Sequence, residues 1–340
     1  MPSRNQAVFA VKIDGSDITS KLRPVVQSIT VSDQAGRSAD TATIVLDDSS
    51  SLLTFPRWNV KIEVLLGFRG AGIATVFKGL IDEVRSSGGR DGKTITVNAK
   101  GVDTSGKIKE PQKRHFDNLT IKEILQNAGS YCGVTDIRVD QDFASKTISY
   151  EEMNNGSFLA FGEQLAKEHG GTFKMRNDIA ILAKKNSGRS PSGSSLPPVY
   201  ATYGVNLHAW DIAPYLGRPR YKQIKVGYYD PRAAKQSETI VDTGLGGSEA
   251  ADVARYTASS ESTAQSLAQS LKADSERNSG AGSVTIEGNA ATVAEAICVI
   301  AGARSGIDGS YVIDSVEHVY SRETGFVTTL SLGFPSGVSA

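Results

Sequence analysis

The residues able to do chemistry in this chain are few and scattered. Its four histidines, His115, His169, His208 and His318, never fall at a metal-ligand spacing such as HExxH. His169 ends a predicted helix, where a cation suits the dipole, and His318 sits in a predicted strand at a packed surface. Glu151 and Glu152 invite comparison with a glycosidase pair. Strand neighbours point to opposite faces, so these two cannot flank one bond. Gly244-Leu245-Gly246-Gly247 lacks the Lys-Ser/Thr of a phosphate loop and reads as a flexible turn. No GxSxG and no strand-to-helix GxGxxG is present. The expectation is a protein that is not an enzyme and uses no metal or cofactor.

Two aromatic pairs are more suggestive of contacts. Phe55 and Trp58 lie together in a predicted loop, a common mark of an interface, although Trp58 folding back over its own domain fits equally. Tyr228 and Tyr229 share a predicted strand, so one points inward and the other outward. The outward ring could meet a neighbouring subunit or simply water. Cys132 and Cys298 have no CxxC spacing and read as buried reduced thiols of a protein folded in the cytoplasm. A bond between them, or between chains, stays open.

The elements that must position these residues are mostly strands. AVFAVKI, VVQSITV (25–31), TATIVLD (41–47), VKIEVLL (60–66), VFKGLIDEV (76–84) and TITVNAKG (94–101) follow one another with turn signals between them. In the third, Ala42, Ile44 and Leu46 form one face. This spacing suggests a barrel or sandwich. The pattern then changes. Thr120 and Glu123 form a capping box at the head of a helix with Ile121, Ile124, Leu125 and Ala128 on its apolar face. A second helix runs from about Ser157 to His169, ended by Gly170-Gly171, and TFKMRNDIAILAKK follows as a hairpin turning at Asn177-Asp178.

NSGRSPSGSSLPP (186–198) is the clearest linker. Beyond it come a strand ending at Pro231, a helix over about 259–278, and three further strands. With 340 residues the chain should hold two or three domains. We expect an α+β, β-dominated fold in three parts: residues 1–108, an α/β module with linker over 109–195, and 196–340. Lys+Arg and Asp+Glu both number 37, and this balance counts against general nucleic-acid binding. The longest apolar run is too short to span a membrane, so no membrane insertion is expected.

The two β regions resemble each other. Ile81-Asp82-Glu83-Val84 matches Ile313-Asp314-Ser315-Val316, and an equal interval of eleven residues leads from Val84 to Ile95 and from Val316 to Val327. VLLG (64–67) has a counterpart in VIAG (299–302). Four-residue matches between strands arise by chance, but equal spacing makes duplication the sharper reading. A trimer of such a chain presents six similar units, which is what a symmetry adaptor requires.

Gly288-Asn289, Gly302, Asp308-Gly309-Ser310-Tyr311, Val316-Glu317-His318 and Gly325-Phe326-Val327-Thr328 together form a pattern, and Phe158, Leu159, Leu165, Ala166 and Gly170 extend it into the middle of the chain. On these residues the sequence resembles the late control gene D proteins, baseplate hubs of contractile phage tails, and is similar to the hub portion of VgrG proteins. The resemblance implies two tube-type β-barrels flanking the α/β module. It implies a homotrimer that adapts the hexameric tail tube, or a distal tube initiator, to the trimeric central spike. The tape-measure protein would end at this hub, DNA would pass through only in transit, and the protein would be assembled in the host cytoplasm into the virion baseplate. The alternative is a β-rich receptor- or polysaccharide-binding tail module, which needs exposed aromatic platforms and no duplication.

Overall fold

The computed structural model describes residues 6–35, 39–90, 92–102, 106–176, 179–185, 187–190, 192–214, 221–230, 233–244, 249–255, 257–278 and 281–334. The expected turn at Asn177-Asp178, the strand end at Pro231 and most of the Gly244–Gly247 loop fall outside these residues.

The first β-unit contains β1 (Ala7–Ile13), β2 (Ser16–Asp17), a short α1 (Thr19–Leu22), β3 (Val26–Gln34), β4 (Thr41–Asp47), β5 (Lys61–Phe68), β6 (Gly72–Gly89) and β7 (Gly92–Lys100). Strict alternation builds it. Ile29 and Val31 of β3, Ala42, Ile44 and Leu46 of β4, and Ile95, Val97 and Ala99 of β7 all enter one apolar core. Their neighbours, Thr30, Thr43 and Thr96 among them, face the other way and stay half-buried.

The middle of the chain is α/β. It holds β8 (Gln112–Thr120), α2 (Ile121–Tyr131), β9 (Asp136–Val139), α3 (Gln141–Ala144), β10 (Thr147–Gly156), α4 (Phe158–His169), β11 (Gly171–Arg176) and β12 (Ile179–Lys184). The capping box forms as read: Thr120 Oγ1 accepts from the Glu123 N–H at 3.3 Å, and the Glu123 carboxylate accepts from the Thr120 N–H at 2.9 Å. Ile121, Ile124, Leu125 and Ala128 are completely buried. Gly170 adopts φ +75° and caps α4, a left-handed conformation that glycine takes at little cost. The stretch read as a linker is more ordered than expected. Leu196 packs against an apolar core and its N–H donates to the Gly188 carbonyl.

The second β-unit contains β13 (Val199–Thr202), β14 (Leu207–Ala213), β18 (Ala281–Glu287), β19 (Ile297–Ala301), β20 (Gly309–Ser321) and β21 (Gly325–Gly333). Between β14 and β18 the chain makes an excursion: β15 (Gln223–Asp230), β16 (Lys235–Asp242), β17 (Ala251–Val253) and α5 (Glu261–Arg277). Sequence pattern announced the helix but not that it closes over three strands with a core of their own, built from Ile224, Val226, Val241, Ala264, Leu267 and Ala268.

One continuous sheet joins the two β-units, in the order β14-β18-β21-β20-β3-β4-β7-β6-β5-β1-β2, with β19 and β13 branching from β20. Its centre is the antiparallel pair β20·β3, Ser315 opposite Gln34 through Ser321 opposite Ser28. Either side of that seam stands a copy of one four-strand unit: β3-β4-β7-β6 and β14-β18-β21-β20.

Candidate assembly interface

The duplication survives a stricter test than sequence likeness, because the irregularities coincide. The β6·β7 ladder shifts register between Ile81 and Glu83, and the β20·β21 ladder between Ile313 and Ser315, so Asp82 and Asp314 are equivalent bulges. The β3·β4 ladder shifts between Val26 and Ser28, and β14·β18 between Leu207 and Ala209, which makes Gln27 and His208 equivalent. The structure also corrects two alignments. Val84 faces Val97, whereas Val316 faces Leu330, so the partner of Ile95 in the second copy is Thr328 and not Val327. The cause lies in the turn. The first hairpin closes Gly89 onto Gly92 with two residues between them, and the second closes Ser321 onto Gly325 with three. Likewise Val64 corresponds to Ile300, since Phe77 and Gly309 lie opposite them at the same distance from the bulge.

The seam between the copies is packed as well as hydrogen-bonded. The tip of the β20–β21 hairpin sends two rings into the first unit. Tyr320 lies 4.9 Å from Phe9 and Phe326 lies 5.6 Å from Phe68, centroid to centroid. His318 is 3% exposed beside the same tip, with Nδ1 3.0 Å from Thr328 Oγ1. Burial pushes its imidazole down to about 4, so it is neutral at pH 7.

At the other end of the seam an ion cluster ties in the α/β segment. Lys174 of β11 reaches Asp33 of β3 and, at 2.5 Å, Asp40. The Ala294 N–H also donates to Asp33, at 3.3 Å. Burial works against the Asp33 charge, but Lys174 outweighs it and holds the carboxyl below its usual range. Asp40 goes the other way, raised by burial and by the charge of Asp33. Nothing local in the sequence marks Lys174; its role exists only once three distant segments meet.

The eight strands of the two repeated units end in edges that are bare over part of their length. Among the described residues, β14 has no ladder partner on its second side beyond a single Tyr203–Leu207 bridge, and Glu83–Gly89 of β6 has none. Exposure records the difference. Val316 and His318 are buried, yet their counterparts Val84 and Ser86 are half-buried and exposed. Ile29 and Val31 are buried, yet their counterparts Trp210 and Ile212 are only half-buried.

The aromatic candidates sit elsewhere. Phe55 (57% exposed) and Trp58 (69% exposed) project from the loop after β4, so Trp58 does not fold back. That loop lies beside the first hairpin: the Asp48 N–H donates to the Lys93 carbonyl, and Lys93 Nζ donates to Ser51 Oγ at 2.8 Å. Tyr228 packs on the core of the excursion and Tyr229 points outward, as alternation requires. The four are not brought together.

Other residues with chemical potential are dispersed. Among the described residues, no group of three or more His, Cys, Asp or Glu could hold a metal ion. His169 departs from expectation. It ends α4, but burial, assisted by Lys146, pushes it down to about 4, so it meets the helix terminus as a neutral ring. Glu151 is pushed up to about 7 by burial and by Glu168. Cys132 and Cys298 are both free thiols; burial alone pushes Cys298 up to about 12. No helix among the described residues is long and apolar enough to cross a membrane.

Comparison with known proteins agrees with this architecture. A "probable baseplate hub protein" of Escherichia phage 186 is 23% identical over 236 residues, 68% of this chain but only 59% of that protein. The 43 kDa tail protein of prophage MuSo2 from Shewanella oneidensis superposes with a TM-score of 0.71 at 15% identity, covering 97% of this chain and 98% of the other. A component of the type VI secretion system of E. coli superposes at 0.59 with 12% identity, covering 96% and 77%. These likenesses show a shared fold. The family described as phage tail baseplate hub (GPD) matches residues 44–324, and the chain belongs to that family.

Proposed function

We propose that this protein is a structural hub whose three copies close a ring of six barrels. The parts are a first barrel over residues 1–108, an α/β module and linker over 109–195, and a second barrel over 196–340. Six equivalent barrels would match a hexameric tail tube or its distal initiator on one side. The three-fold chain identity would match a trimeric spike on the other. The observation that carries this reading is the four-strand unit present twice in one chain and already joined edge to edge through β20·β3.

The face of the sheet turned away from the cores would line the conduit. It is rich in hydroxyls, with Thr30, Thr43, Thr96, Thr285 and Thr329 half-buried on it. With only scattered valines such as Val45, Val319 and Val327 among these hydroxyls, such a surface would offer little apolar hold to DNA or to a tape-measure protein ending at the hub. Phe55 and Trp58, beside the first hairpin, are proposed contacts to an adjoining ring, and the outward Tyr229, backed by the packed Tyr228, to a neighbouring subunit. The role is non-catalytic, needs no cofactor, and belongs to the virion baseplate, with assembly in the host cytoplasm. Light scattering on the purified protein, alone and with its spike protein, tests it. A three-chain mass is expected in at least one condition; a monomer in both would overturn the ring.

A further inference from the structure

The two bare edges are the two halves of a seam that the chain already makes once. We infer that Arg85–Gly89 of one copy pairs antiparallel with Ala209–Ala213 of the next copy. This inference rests on the ring proposed above. The register follows from the matched bulges. Within the chain, Val319 lies opposite Thr30 and Tyr320 opposite Ile29. The equivalents of Val319 and Tyr320 are Ser87 and Gly88; those of Thr30 and Ile29 are Asp211 and Trp210. Ser87 therefore stands opposite Asp211 and Gly88 opposite Trp210, each across a copy boundary. Pro214, which has no N–H to donate, ends the ladder.

Three further observations favour a second copy as the occupant. First, both edges are thinly protected: Arg85 is the one acidic or basic residue in Arg85–Gly89, and Asp211 the one in Ala209–Ala213. Soluble proteins blunt free strand edges with charge, proline or covering elements. On β14 the apolar Trp210 and Ile212 are left partly open. Second, every position from Glu83 to Gly89 is at least as exposed as its counterpart in β20, the pattern of an interface seen without its partner. Third, side-chain volume is exchanged across the seam. Within the chain the hairpin supplies the large ring, Tyr320, to the smaller Ile29. At the bare edges the hairpin supplies Gly88 and the other side supplies the indole of Trp210, already held edge-on by Tyr203 at 5.3 Å. A Cβ on Gly88 meets only Lys93 Cγ, at 3.4 Å, within the chain. What the glycine leaves open is therefore space for a neighbour's side chain.

The test is a disulfide trap in the full chain, with Cys132→Ser to remove the accessible thiol. Opposed strand residues have Cα atoms about 4.5–5.5 Å apart, within disulfide range. Ser87→Cys with Asp211→Cys should give a covalent trimer under mild oxidation, alone or with the spike protein present. Ser87→Cys with Ala213→Cys, slipped by two residues, should not. A three-chain mass without the first cross-link, or with the slipped one, would overturn this register and leave the ring standing. Cross-linking of Asp211→Cys to the spike instead would also overturn it. A monomer under every condition overturns both readings. Independently, Gly88→Phe should leave the thermal midpoint of the monomer unchanged and abolish the three-chain mass, and Trp210→Ala should restore it. A Gly88→Phe protein that still forms the trimer would refute the exchange of volume.

Discussion

The two β-units differ most where they face away from the shared sheet. Both keep the four strands, both keep the bulges at Asp82 and Asp314, and both keep those at Gln27 and His208. Outside that unit they diverge. β1 runs antiparallel to β5, whereas β13 runs parallel to β19. Only the second unit carries an excursion between the first two strands of the repeated four, and only its hairpin has a three-residue turn. Strand pairing constrains register along a whole sheet, because a one-residue slip would turn every side chain to the wrong face. A loop or flanking strand carries no such constraint. The comparison teaches that the sheet, rather than either unit as a whole, is what the duplication preserves.

Perturbing matched positions would sharpen or break that view. The largest effect is expected at the seam itself. Lys174→Met leaves Asp33 and Asp40 buried without their cation, which should cost about 3–5 kcal/mol in chemical denaturation. A loss below about 1 kcal/mol would mean that the cluster does not hold the seam. Next come the paired core residues beside the bulges. Ile81 is 1% exposed and Ile313 0%, so either change to Ala should cost about 2–5 kcal/mol. If the two units are equivalent there, the two losses should agree within about 1 kcal/mol.

A third comparison uses acid. His318 occupies the place of Ser86, and its imidazole is depressed from 6.5 to about 4. The unfolded chain therefore binds the extra proton first. The His318 contribution to stability is fully present above about pH 6.5 and is lost as pH drops towards 4, about 3 kcal/mol in all. His318→Gln should reduce that slope in urea titrations across this window, leaving the part carried by His169, which is depressed to the same value; an unchanged slope would show that His318 carries none of it. The smallest effect is expected at Lys100, whose Nζ meets Asp82 at 2.6 Å with the side chain 42% exposed. Lys100→Ala should cost under about 1 kcal/mol, as for other solvated pairs.

Local signals in the sequence were reliable where a few consecutive residues settle the matter. The Thr120–Glu123 capping box, the buried face of α2 and the alternation of β4 all rest on neighbours three or four positions away. The likeness of Ile81–Val84 to Ile313–Val316 was equally legible. Its continuation was not, because a single extra turn residue moves Thr328, rather than Val327, into the place of Ile95. Burial phase, with Thr328 buried and Val327 half-buried, shows the shift that residue type conceals. The seam was out of reach for another reason. β3 and β20 lie nearly 300 residues apart, and no local pattern says which of several alternating strands will lie side by side. His169 was misjudged because helix position suggests charge, whereas burial decides it.

The β20·β3 seam has a consequence for assembly kinetics. Two segments on one chain meet at an effective concentration near millimolar, independent of dilution. In the proposed ring of six barrels from three chains, half of the joins would therefore form as each monomer folds, and only the other half would answer to mass action. Closure of such a ring would be a third-order rather than a sixth-order problem in protein concentration. A particle that needs only one ring would thereby be spared much of its dependence on how many copies the cell has made.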